Sequence, residues 1–78
     1  MNTDGKLPIL RPEELAKALE RMGFVHTRKS RGSHFRYVHP DGRKTTISMH
    51  KGKTIGRGLL RKILRDIGIS IEELNKWL

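Results

Sequence analysis

His34-Phe35-Arg36-Tyr37-Val38-His39-Pro40-Asp41-Gly42-Arg43-Lys44-Thr45-Thr46-Ile47-Ser48-Met49-His50 is the stretch on which the fold turns. Its centre is a turn signal. Pro suits the first central position of a type I turn, Asp the second, and Gly the left-handed residue that closes a three-residue hairpin loop with a bulge. That loop sets His39 against Arg43 and fixes the register outward from it. Tyr37 then faces Thr45 and Phe35 faces Ile47, with Met49 following on the same side, so one face is mostly apolar. On the other side Arg36 faces Thr46 and His34 faces Ser48, with His50 one diagonal step from His34. A slip of one residue would mix the two sets, so the turn and the alternation support each other.

Upstream, Arg31-Gly32 separates the hairpin from an earlier segment with period two, which gives three expected strands over 24–30, 33–39 and 43–50. In the first of these His26 and Arg28 share one side and Val25 and Thr27 the other, and neither side is apolar enough to choose between. Pro12 stands where the first turn of a helix tolerates it, followed by Glu13 and Glu14 at the positive end of the dipole. Leu15, Leu19 and Met22 recur at helical spacing before Gly23, which predicts a helix over 12–22. Leu59, Leu60, Ile63, Leu64 and Ile67 predict a second over 57–67, stopped by Gly68, with Arg57, Arg61 and Arg65 on its opposite face. Ser70-Ile71-Glu72-Glu73 has capping-box spacing and opens a short final helix through Leu74 and Trp77. The expected class is α+β, in the order α-β-β-β-α plus a C-terminal helix. The three-stranded antiparallel sheet has helices on one face and leaves the other to solvent or a ligand. Residues 1–78 make a single domain, with no repeat or linker.

Charge narrows the function. Seventeen Lys and Arg against eight Asp and Glu give +9, the balance of a polyanion binder. The excess is concentrated: residues 1–23 balance to zero, residues 54–78 carry +2, and residues 24–53 carry +7 with Asp41 their lone acid. A solvated face usually mixes both signs, so this block reads as a phosphate-facing surface. Arg28, Lys29, Arg31, Arg36, Lys51 and Lys53 within it, with Arg57 and Arg61 on the second helix, are the candidate RNA contacts. With no Cys there is no disulfide framework, thiolate metal site or cysteine nucleophile. Mean hydropathy is −0.61 and no run approaches the ~20 apolar residues of a membrane span. The first residues hold no hydrophobic signal segment, so the cytoplasm is the expected location.

Gly52-Lys53-Thr54 hints at a phosphate loop, but that motif needs a glycine where this chain has Ile47. His26, His34, His39 and His50 lack recognised metal-ligand spacing and sit in a block that repels a divalent cation, so neither metal nor cofactor is expected. Gly32-Ser33-His34 is the sharpest feature. An imidazole can accept or donate a proton near neutrality, and guanidinium groups nearby can hold a phosphodiester and stabilise its transition state. RNA brings its own nucleophile in the 2′-hydroxyl. Spacing alone leaves catalysis and simple binding both open, and a basic face meeting an acidic protein is a third reading.

Leu19-Glu20-Arg21-Met22-Gly23-Phe24, Gly32-Ser33-His34, Pro40-Asp41-Gly42-Arg43, the strand from Ile47 to His50, and Gly58-Leu59-Leu60-Arg61-Lys62-Ile63-Leu64, in that order and spacing, resemble the HicA (YcfA-like) toxin family. The resemblance covers about residues 8–71. It implies a fold like that of double-stranded-RNA-binding domains, a ribosome-independent mRNA-cleaving toxin activity that blocks translation, and a cognate HicB-like antitoxin that covers the active site. The family's catalytic histidine follows Gly-Ser and maps onto His34; His50 matches a second histidine found after the third strand in many members. Ser48 stands where those relatives often have proline, and Arg57-Gly58 where members often have Gly-Thr. The alternative reading is a non-catalytic RNA-binding module of the same fold.

Overall fold

The computed structural model of the chain describes residues 6–27, 32–50 and 52–78. Helix α1 spans Pro12–Met22 and helix α2 spans Arg57–Ile67, the limits that periodicity and punctuation predict. At the start of α1, the Arg11 N–H, one of the donors that a helix leaves unpaired, is taken by Glu14 Oε1 at 2.8 Å. Gly23 ends the helix at φ +105°, a conformation that a side chain would strain. Helix α3, Ile71–Lys76, begins as its capping sequence predicts, with Ser70 Oγ accepting the Glu73 N–H at 3.0 Å.

The sheet is antiparallel in the order β1-β2-β3, with β1 at Val25–His26, β2 at His34–Val38 and β3 at Lys44–Ser48. The pairing of β2 with β3 is the one the turn dictates: His34 opposite Ser48, Phe35 opposite Ile47, Arg36 opposite Thr46, Tyr37 opposite Thr45. Gly42 donates to the His39 carbonyl at 2.9 Å with φ +101°, and the His39 N–H reaches the Arg43 carbonyl at 2.8 Å. The expected first strand is present at Val25–His26. Among the described residues it pairs Val25 with Val38 and His26 with Tyr37, extended by a Thr27 N–H bond to the Arg36 carbonyl at 2.9 Å; residues 28–30 lie outside those described. The register resolves which way β1 faces: His26 joins Tyr37 and Phe35 on the apolar side, its ring stacked 4.8 Å from that of Phe35.

Both long helices pack on that apolar side, α2 chiefly against β3 and α1 against β1 and β3. Leu15, Leu19, Ile47, Leu60, Ile63, Ile67 and Leu74 are fully buried, and each such side chain contributes roughly 1.5–3 kcal/mol relative to exposure. Leu74 brings α3 into the same core, and the Arg21 guanidinium, donating to the Trp77 carbonyl at 2.8 Å, ties the end of α3 to α1. Tyr37 is only 3% exposed; burial, with the Glu20 carboxylate adding to it, pushes its phenol above the ordinary range. Buried in this way, Tyr37 offers no ring face to a nucleic-acid base, whereas Trp77 is exposed.

The β2–β3 turn does more than reverse the chain. His39 Nε2 lies 3.2 Å from the Met22 carbonyl, and Nδ1 lies 3.1 Å from both the N–H and the carboxylate Oδ1 of Asp41. The ring meets Phe24 edge-on at 4.9 Å. Beside it the Arg43 guanidinium lies 5.3 Å from the Phe24 ring centre and donates to the Ile67 carbonyl at 2.7 Å. One turn thus caps the C-termini of both α1 and α2, where orphan carbonyls need donors. Gly23 is bare for the same reason: a Cβ there would come within 3.0 Å of His39 Nε2.

Candidate nucleic-acid interface

Strand alternation puts His34, Arg36 and Val38 of β2, and Lys44, Thr46 and Ser48 of β3, on the face that no helix covers. Val25, 60% exposed, lies beside Val38 on that face. His34 is exposed and Ser48 half-buried across from it, with Arg36 half-buried two residues along. Beyond β3 the chain turns at His50, whose carbonyl accepts the Lys53 N–H at 3.2 Å; His50 and Lys53 are both exposed. His34, Ser48 and Arg36 thus share the open face, as the register requires. Among the described residues no hydrogen bond or ion pair engages the side chains of His34, His50 or Lys53. Both ring nitrogens of His34 are therefore available to a ligand, one as donor and one as acceptor in the neutral form.

Arg28, Lys29, Arg31 and Lys51 lie outside the described residues. Arg57 and Arg61 are exposed, but they stand with Arg65 in the helix layer and not on the open face. Among the described residues these candidate cations therefore form two groups on different sides of the sheet. Lys62 belongs to neither, since its ammonium is engaged by Asp66 at 3.1 Å.

The four histidines fall into separate environments. His26 stacks on the helix side, His39 is bound into the turn, His34 lies on the open face, and His50 is exposed beyond the end of β3. Among the described residues no three His, Asp or Glu side chains gather as a metal would require. Sequence reasoning missed the role of His39 and Arg43. Their partners are backbone carbonyls of distant helices, which no motif marks; the available signal was that His39 shares the parity of Phe35 and Tyr37. A groove of about 510 Å³ between residues 6–9 and residues 54–57 with Leu60 holds Lys6 and Arg57 but none of the histidines. A polymer contacted along its backbone needs an open surface more than an enclosed cavity, and the sheet face supplies one.

These features define a class: a small basic α-β-β-β-α domain with one sheet face sealed by helices and the other presenting a histidine that has no partner among the described residues. The chain matches the family model described as the HicA toxin of bacterial toxin–antitoxin systems over residues 12–69, most of its length, and it belongs to that family. Membership implies a cognate antitoxin as its partner. No curated protein matches it. Among the described residues, no helix is long and apolar enough to cross a membrane.

Proposed function

We propose that this protein is the toxin of a type II toxin–antitoxin system and acts as a ribosome-independent endoribonuclease on mRNA, without a metal ion or cofactor, in the cytoplasm. The observation that carries the reading is His34, exposed on the uncovered sheet face with no partner among the described residues, with Arg36 on the same strand and Ser48 opposite. Cleavage is transesterification. The RNA 2′-oxygen forms a bond to the adjacent phosphorus as its proton is removed, and the bond from phosphorus to the 5′-oxygen breaks as that oxygen gains a proton. His34 is the catalytic residue, as base or acid; His50 is its auxiliary partner. Guanidinium and ammonium groups neutralise the charge that builds on the phosphate. Arg36 and Lys53 supply it on the described surface, and Arg28, Lys29, Arg31 and Lys51 in the same basic stretch of sequence. Arg57 and Arg61 contact RNA from the helix layer. Ser33 and Ser48 orient the site and are not nucleophiles. A HicB-like antitoxin is the partner that covers it.

The test is to incubate purified protein with end-labelled mRNA in the presence of EDTA. Cleavage by the wild type and none by His34→Ala is the expected result. Binding without cleavage by the wild type would make the protein a non-catalytic RNA-binding module. Affinity should also fall with salt, with a log–log slope of about −0.7 per phosphate neutralised on a single strand; a flat dependence would remove the electrostatic part of the reading.

A further inference from the structure

Strand β3 is an edge of the sheet, and its backbone can be accounted for group by group. Pairs that exchange hydrogen bonds in an antiparallel ladder alternate with pairs that do not. The Met49 N–H reaches the Ser33 carbonyl at 2.6 Å and the His39 N–H the Arg43 carbonyl at 2.8 Å. The bonded pairs are therefore Phe35 with Ile47 and Tyr37 with Thr45. It follows that the N–H and C=O groups of Lys44, Thr46 and Ser48 point away from β2. Among the described residues they meet no partner, and Lys44 and Thr46 are exposed. The strand is five residues long and holds no proline, and Lys44 is the one charged side chain that guards its open edge.

We infer that β3 is a docking edge, onto which the cognate antitoxin adds an extended acidic segment as a fourth strand. Charge selects the occupant. The chain carries +9, which opposes pairing of two copies edge to edge, while Lys44 on the edge and Arg36 one strand further in favour carboxylates on the incoming strand. Asp66, the acid beneath this edge, is already matched by Lys62 and by the Thr45 hydroxyl, each at 3.1 Å. An added strand would lie about 4.8 Å from β3 and about twice that from β2. Alternate side chains on it would project onto the open face beside Ser48 and toward His34. Main-chain pairing would give affinity, and the side chains would close the face. The inference needs the antitoxin partner but not the nuclease reading.

The experiment is residue-resolved amide hydrogen exchange on the whole chain, alone and saturated with its cognate antitoxin, together with affinity measured on Thr46→Pro. Proline is tolerated on an edge strand where the N–H faces solvent, so this variant should keep the fold and lose at least about tenfold in antitoxin affinity. In the wild type the amides of Lys44, Thr46 and Ser48 should exchange quickly alone and become protected in the complex. Rapid exchange of those amides in a saturated complex would overturn the inference, whether or not Thr46→Pro folds. So would full antitoxin binding by a folded Thr46→Pro. Protection that instead grows with protein concentration without antitoxin would identify a second copy as the occupant and overturn it equally.

Discussion

His34 and His39 stand five residues apart on one hairpin and have little in common. His39 falls on the helix side, where both ring nitrogens are engaged and the ring abuts Phe24. His34 falls on the open side with no partner among the described residues. The same side chain is a structural tie at one end of the sheet and a free acid–base group at the other. Parity in the strand and distance from the turn decide which. A histidine that is satisfied is spent; one that is exposed beside cations is available.

That contrast breaks most decisively at His34. His34→Ala should lower the cleavage rate about 10²–10⁴-fold, the usual loss of a general acid–base group, and leave stability within about 0.5 kcal/mol, as for an exposed strand position. Urea melts beside the cleavage assay would show the two quantities separating; a variant that unfolds would make His34 structural after all. The mirror image is expected at His39. His39→Ala strands the Met22 carbonyl and removes the ring from Phe24, which should cost about 1–3 kcal/mol, or several degrees of Tm for each kcal/mol in a domain of this size. Its folded fraction should still cleave RNA at the wild-type rate, and a loss of turnover without a loss of stability would erase the distinction.

His50 sharpens the comparison on a smaller scale. As an auxiliary group it should cost less rate than His34 when changed to Ala, and an equal loss would promote it to a full partner. The smallest effect concerns Asp41. Its carboxyl is held below the ordinary range chiefly by the Arg43 N–H at 3.0 Å, with the Arg43 guanidinium and His39 adding to this. A carboxyl whose pKa is lower in the folded state stabilises the fold above its unfolded pKa, and that contribution is lost as pH falls through the folded value. Asp41→Asn should therefore melt below the wild type near neutrality, and the gap should close in acid. A gap that persists below the folded pKa would mean the ion pair is irrelevant and the lost hydrogen-bond geometry is what matters.

Much of this was legible from residue order alone. The Pro40-Asp41-Gly42 turn admits one register for the flanking alternation, and the sheet adopts it from His34–Ser48 to Val38–Lys44. Both long helices run between the residues that periodicity and glycine mark. The first strand was legible as a segment but not in its facing, because Val25 and His26 are of mixed polarity and carry no periodic signal. The division of the cations was also hidden. Charge counting groups Arg36 with Arg57 and Arg61, whereas packing puts α2 on the far side of the sheet from Arg36's face. The candidate site was visible as His34 with its neighbours Arg36 and Ser48, since all three follow from the hairpin register. Its freedom from partners was not, because that depends on which atoms the rest of the chain leaves unbound.

The Pro40–Gly42 turn looks like the natural place to graft a tag or epitope, since Pro40, Asp41 and Gly42 are all exposed. Its connections argue the reverse. Tolerance of an insertion follows the bonding of the affected backbone and not its exposure. Here His39 and Arg43, on either side of the turn, each hold the end of a helix. An insertion between Asp41 and Gly42 would part the two hands of that grip, and its melting temperature should fall as far as that of the double variant His39→Ala, Arg43→Ala. Exposure alone would make this turn a graft site, and its bonding makes it a poor one.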